Sequence, residues 1–247
     1  MAAFGGYPQN VTFSTVNVAK GGGSENLLIN PRGKINQLNE PDGVLSAGVY
    51  FCDGWKAGAS GAEVYRDADG FRLISGSIVQ LVPNNLGAGR NLRANMDIIS
   101  GTPVMSINGG SDNAVSSDGE YISLEISGNN SKFNRIILAE SLEIPIYQQS
   151  SDELTPCLAF CEISHPVMDT RNTVDTANWY PFSLFFTFKS NKKRPYAVRV
   201  EGFQTSFSSV TTEAYEQGVI LRVETNAAGA GNNSYVYAQK IIADARP

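Results

Sequence analysis

The sequence predicts an all-β protein, and three observations carry that expectation. Short β-branched or aromatic runs recur along the chain, each bounded by Gly, Pro, Asn or Asp. In GEYISLEIS, Tyr121, Ser123, Glu125 and Ser127 share one face and Ile122, Leu124 and Ile126 the other, the period of two that marks a half-buried strand. Helix chemistry is confined to SSDELTPCLAFC, where Ser151, Asp152 or Thr155 can cap and Pro156 fits a first turn.

Residues 1–24 read as an extended arm. Gly21-Gly22-Gly23-Ser24 supplies a hinge, and VTFSTVNV alternates well enough to form a strand that needs a partner sheet. Val11, Phe13, Val16 and Val18 are its candidate docking residues. Strand runs then follow as GVYFC, AEVYR, FRLIS, SIVQLV, MDIIS, TPVMSIN, GEYISLEIS and FNRIILAESLEI, with Asp67-Ala68-Asp69-Gly70 as a hairpin turn. After His165-Pro166 and a polar stretch come WYPFSLFFTFK, PYAVRVEGF, TSFSSVTTEA, GVILRVET and NSYVYAQKIIADA. In SLFFTFK, Leu184, Phe186 and Phe188 oppose Phe185 and Thr187, so both faces are expected to be covered. No segment repeats at a period of about 20–50 residues, which removes propellers and β-helices. The parse is therefore the arm, one β unit over 25–148 and a second over 149–247, divided near the polar QQSSDEL.

Composition narrows the function. A formal net charge of −5 argues against a phosphate-backbone partner, so nucleic acid is not expected. The longest apolar-rich stretch, residues 180–188, falls short of the roughly 20 residues that span a bilayer, so membrane insertion is not expected either. MAAFGGYPQN has neither the basic nor the apolar region of a secretory signal, and three cysteines cannot all pair, which points to synthesis in a cytoplasm.

Catalytic chemistry finds little to work with. The single histidine, His165, stands without a G-x-S-x-G elbow, and Asp67/Asp69, Glu140/Glu143 and Asp152/Glu153 are carboxylate pairs of the kind turns and surfaces use. Cys157, Cys161 and His165 at i, i+4 and i+8, with Cys52, make a conceivable zinc set, but the flanking Pro156 and Pro166 and the spacing favour buried thiols. Neither cofactor nor metal is expected. Trp55 reads as a core anchor. Trp179 and Tyr180 beside Asn178, and the loop NAAGAGNNS with its neighbour Tyr235, are the candidate ligand or partner contacts, through Asn226, Asn232 and Asn233. Lys192, Lys193 and Arg194 form the one basic cluster and read as a solvated hairpin end.

Four segments bring a family into view. NLLINPRGKINQL followed by YFCDGW resembles the opening of the galactose-binding-like, carbohydrate-binding-module-like jelly roll of bacteriophage tail-fibre and other virion proteins, with Gly54 where that pattern carries arginine. SLEIPIYQQSSDELTPCLAFCEIS is similar to the junction that leads from that jelly roll into a second β unit, and YVYAQKIIADARP to the closing strand. The resemblance spans about residues 25–247. It implies a jelly-roll β-sandwich followed by a second β-sandwich-like unit, in a virion component that binds and does not catalyse. The expected function is adhesion of the tail-fibre or spike type to a host-surface glycan or receptor, with capsid decoration or head-fibre duty as the rival and a glycan-degrading tailspike enzyme as the third. Expected partners are other phage structural proteins through residues 1–24, host glycan, and further copies of the chain in a trimer held around Phe182, Leu184, Phe186 and Phe188 or by arms paired on the particle.

Overall fold

The computed structural model describes residues 25–164, 182–190, 192, 196–201, 204–205, 209–224, 236–237 and 240–247. Those residues form antiparallel sheets with a single helical turn, as an all-β fold requires. The first β unit contains β1 (Gly43–Leu45), β2 (Tyr50–Cys52), β3 (Trp55–Asp67), β4 (Gly70–Pro83), β5 (Asn91–Ser100), β6 (Val104–Ile107), β7 (Asn113–Val115), β8 (Tyr121–Ser127) and β9 (Ser131–Glu140).

The β3–β4 hairpin belongs to two layers. Near the Asp67-Gly70 turn, Phe71 to Leu73 pair with β9, which continues to β5 and β7. At the other end, Ser77 to Pro83 pair with β8, which continues to β6. Between the halves the hairpin bends: the register jumps from Ala57↔Ile78 to Ala62↔Gly76. The bend needs glycine. Gly76 has φ +80°, and a Cβ there would lie 2.3 Å from the Gly61 carbonyl oxygen. KAGAS and AEVYR are therefore one strand, as are FRLIS and SIVQLV, because the glycines that look like breaks in the sequence act as bulges.

The two layers close on an aromatic centre. Phe71 packs against Trp55 at 5.4 Å between ring centroids and against Phe51 and Phe133 at 5.9 Å, and all four rings are buried. Each such side chain contributes roughly 1.5–3 kcal/mol by leaving water. Ile122, Leu124 and Ile126 of β8 all face this core, as their alternation predicts. Strand β9 ends at Glu140 rather than running through ESLEI. Beyond Ser141 the chain leaves the sheet and crosses the outer face of β5, where the Asn95 amide donates to the Pro145 carbonyl at 3.0 Å.

The segment before β1 is irregular yet holds the unit together through Asn30, which is buried in a left-handed conformation, φ 49°. Its side-chain Nδ2 donates to the carbonyls of Ile35 (2.8 Å) and Asp53 (3.0 Å), its Oδ1 accepts from the Ile35 N–H, and its carbonyl accepts from the Trp55 indole at 2.9 Å. Asparagine tolerates this backbone and offers both donor and acceptor, a combination alanine lacks. On either side, Gln80 binds both the N–H and the carbonyl of Ile29, and the Pro31 and Arg32 carbonyls accept from Ile136 and Gly70. The adjoining Asp53-Gly54 turn is equally tight: Gly54 has φ +81°, and a Cβ there would sit 2.7 Å from Ile29 Cγ1.

The remaining strands form three small sheets. One joins β10 (Cys161–Ser164), β17 (Lys240–Asp244) and β12 (Ala197–Glu201). Another joins β11 (Phe182–Thr187), β15 (Gly218–Glu224) and β14 (Ser209–Tyr215), and a third pairs β13 (Gln204–Thr205) with β16 (Val236–Tyr237). One turn of helix, α1 (Leu154–Leu158), precedes β10, and its first N–H groups at Leu154 and Thr155 are capped by Asp152 Oδ1. The first unit grips this region through ion pairs and hydrogen bonds. Arg32 pairs with Glu153 at 2.8 Å, Gln37 bridges the Asp53 carboxylate to the Cys161 carbonyl, and Arg246 joins Glu40 and Asp244 over the Tyr50 ring.

Asn30→Ala removes the three hydrogen bonds of this side chain and leaves alanine in a left-handed backbone. Urea unfolding should show a loss of about 2–4 kcal/mol. A loss below about 1 kcal/mol would mean that water replaces the asparagine without cost.

Candidate functional site

Trp179, Tyr180, Asn226, Asn232, Asn233 and Tyr235, and the arm residues Val11, Phe13, Val16 and Val18, lie outside the described residues, as does His165. What the structure presents instead is an open aromatic surface on the β11–β15–β14 sheet.

The sheet has two unlike faces. Val219 and Leu221 point inward and are fully buried, while Phe185, its cross-strand partner Ile220, and Glu213 opposite Ile220 share the outer face. Phe185 is 52% exposed and Tyr215 47%, and their rings meet edge to face at 6.4 Å. This corrects the expectation that both faces of SLFFTFK are covered. In the single chain the half-buried rings are Phe186 and Phe188, and Phe185 stands open on the opposite face. The side chains of Phe182 and Leu184 lie outside the described residues.

Phe185, Tyr215, Glu216, Gln217 and Ile220 line a shallow concavity of about 520 Å³. A two-residue turn, Glu216-Gln217, joins β14 to β15 by the pairing Tyr215↔Gly218. Gly218 makes room for the aromatic: a Cβ there would come within 2.7 Å of the Phe185 ring. From beneath, the Tyr196 hydroxyl takes the Tyr215 N–H at 3.0 Å and donates toward the carbonyls of Tyr215 (2.6 Å) and Gly218 (2.5 Å). Burial lifts the Tyr196 phenol above the usual tyrosine range, so it stays a neutral donor. On the open side, the Tyr215 hydroxyl donates to Glu213 at 3.0 Å.

Lys192 anchors the turn, and here the sequence reading needs correction. Rather than ending a solvated hairpin, Lys192 is buried, with its ammonium donating to Glu162 (2.7 Å), the Leu158 carbonyl (2.7 Å) and the Ser190 carbonyl (3.2 Å). It also lies 4.3 Å from the centre of the Phe188 ring. Its backbone N–H donates to the Glu216 carbonyl, so one residue ties the turn to α1 and β10. The burial of Glu162 decides the matter: a carboxylate that dry requires a cation, and Lys192 is in reach. Desolvation holds the Lys192 ammonium below the ordinary lysine range, opposed by its bond to Glu162. Lys193 and Arg194 lie outside the described residues.

Other candidate chemistry resolves into structural roles. Asp67 pairs with Arg72 and Lys132, and Asp69 with Arg32 and Lys34, around the β3–β4 turn. Cys52, Cys157 and Cys161 are buried free thiols, and burial pushes the Cys161 thiol up to about 12. Among the described residues no three His, Cys, Asp or Glu side chains converge on a metal-holding geometry, and no helix is long and apolar enough to cross a membrane.

Set against models of protein families, curated proteins and solved structures, the chain matches none of them. The chemistry of the platform therefore rests on its own side chains: two open rings, an amide at Gln217 and carboxylates at Glu213 and Glu216.

Lys192→Met leaves Glu162 buried without its cation and should cost about 3–5 kcal/mol in urea unfolding, while Lys192→Met/Glu162→Leu restores most of that loss. A neutral Lys192→Met would show that the pair does not hold the turn.

Proposed function

We propose that this chain is a bacteriophage virion adhesion protein of the tail-fibre or spike type, which binds a host-surface glycan or receptor on the Phe185–Tyr215 platform. The single observation behind the reading is the exposed ring pair on a buried, hydrogen-bonded support. Sugar rings present apolar C–H faces and a fringe of hydroxyls. Phe185 and Tyr215 offer the complementary apolar planes, and Gln217 and Glu216 offer donor and acceptor at the edge. A concavity of about 520 Å³ lies in the size range of small-ligand sites.

The virion assignment is supported by the motif resemblance. The turn at Asn30 and the Asp53-Gly54-Trp55 motif carry it, and they are also the residues that lock the first unit. In this reading the chain binds without turnover, and the arm attaches it to other particle proteins.

The test is binding of the full-length chain to a panel of bacterial surface polysaccharides, with Phe185→Ala and Tyr215→Ala beside wild type. Each variant should weaken binding about tenfold or more while leaving thermal unfolding unchanged, since exposed rings contribute to contacts rather than to the core. Retention of full affinity by both variants would contradict the platform. Binding to purified capsids with no glycan recognised would instead favour the decoration role, and release of shortened glycan would favour the enzyme.

A further inference from the structure

The crossing segment after β9 carries an apolar stripe. Leu142, Ile144 and Ile146 alternate along it with 73%, 62% and 71% of their surfaces exposed. Its backbone is held against the sheet, with the Leu142 and Pro145 carbonyls accepting from Arg93 and Asn95 on the outer face of β5. Alternate large apolar side chains on a fixed support, turned to water, are the pattern of a docking surface.

We propose that residues 11–18 of the chain's own arm lie on this stripe. The described chain begins beside it: the Leu27 N–H donates to the Leu138 carbonyl at 2.8 Å, and Asn26 pairs with the backbone of Ile136 and Leu138. The described chain thus begins near the end of β9, where Ser141 and Leu142 follow. The six residues 19–24 span up to about 20 Å when extended, enough to bring the arm back across the stripe. The arm supplies the matching chemistry in Val11, Phe13, Val16 and Val18. Docking of this kind covers the arm's apolar residues in the free protein and stands independently of the virion reading. If the arm also seats the chain on a particle, assembly exchanges one apolar partner for another.

Hydroxyl-radical footprinting of the full-length chain reads side-chain accessibility directly. In Val11→Asp/Phe13→Asp, oxidation of Leu142, Ile144 and Ile146 should rise about tenfold over wild type, while the exposed Val44 on β1 keeps its rate. Reciprocally, Ile144→Asp should speed tryptic cutting after Lys20 by a similar factor. Equal oxidation of the stripe in both chains, with unchanged cutting at Lys20, overturns the proposal. Protection that disappears on dilution, as an oligomer separates, also overturns it and assigns the stripe to a neighbour's arm.

Discussion

Asn30 satisfies the backbone of Ile35 and Asp53 with its side chain and the Trp55 indole with its carbonyl, all in a dry site. The stretch it organises has no strand of its own, so its polar backbone groups would be orphaned inside the protein without such partners. Because each partner belongs to a different part of the first unit, the asparagine sets where the 25–37 segment, the β2–β3 turn and Trp55 stand relative to one another. Trp55 then positions Phe71, and Phe71 touches both Phe51 and Phe133 across the two layers. One residue, through its side chain and its carbonyl together, thereby ties these parts of the sandwich to one another.

The same segment carries order outward. Gln37 reaches from the Asp53 carboxylate to the Cys161 carbonyl, and Arg32 reaches to Glu153 at the start of α1. Behind those contacts, β10 supplies Glu162, Glu162 binds Lys192, and Lys192 holds the Glu216 carbonyl that shapes the turn under Tyr215. The exposed rings therefore sit at the end of a chain of buried polar contacts. On the proposed reading, a surface held in place before it meets a ligand loses less entropy on binding.

The legible part of the fold was the part written in alternation. Ile122, Leu124 and Ile126 face the core as their spacing requires, the Asp67-Gly70 turn closes a hairpin, and Asp152 caps the helical turn α1. Glycine misled where it bends a strand rather than ending it: Gly61 and Gly76 look like turns but serve as bulges in long strands. The burial of Lys192 is illegible because a run of bases looks solvated, and nothing local announces that Glu162, thirty residues earlier, waits in a dry site. The role of Tyr215 is hidden for a simpler reason. The two-residue Glu216-Gln217 loop is short and lacks the Asn-Gly signature of a hairpin, so the platform's edge falls between two strand runs.

Native-state hydrogen exchange tests the central role of the Asn30 segment most directly. The amides of Gly33, Ile35, Asp53, Gly70 and Ile136 donate within or onto it, and that of Gln37 donates from it to the Asp53 carboxylate. If this segment is what closes the sandwich, they exchange only by global unfolding, with the same free energy as the amides that pair β4 with β8. Exchange of these six amides through a local opening several kcal/mol easier than that of the β4–β8 ladder would contradict the account, because the sandwich would then stand without them.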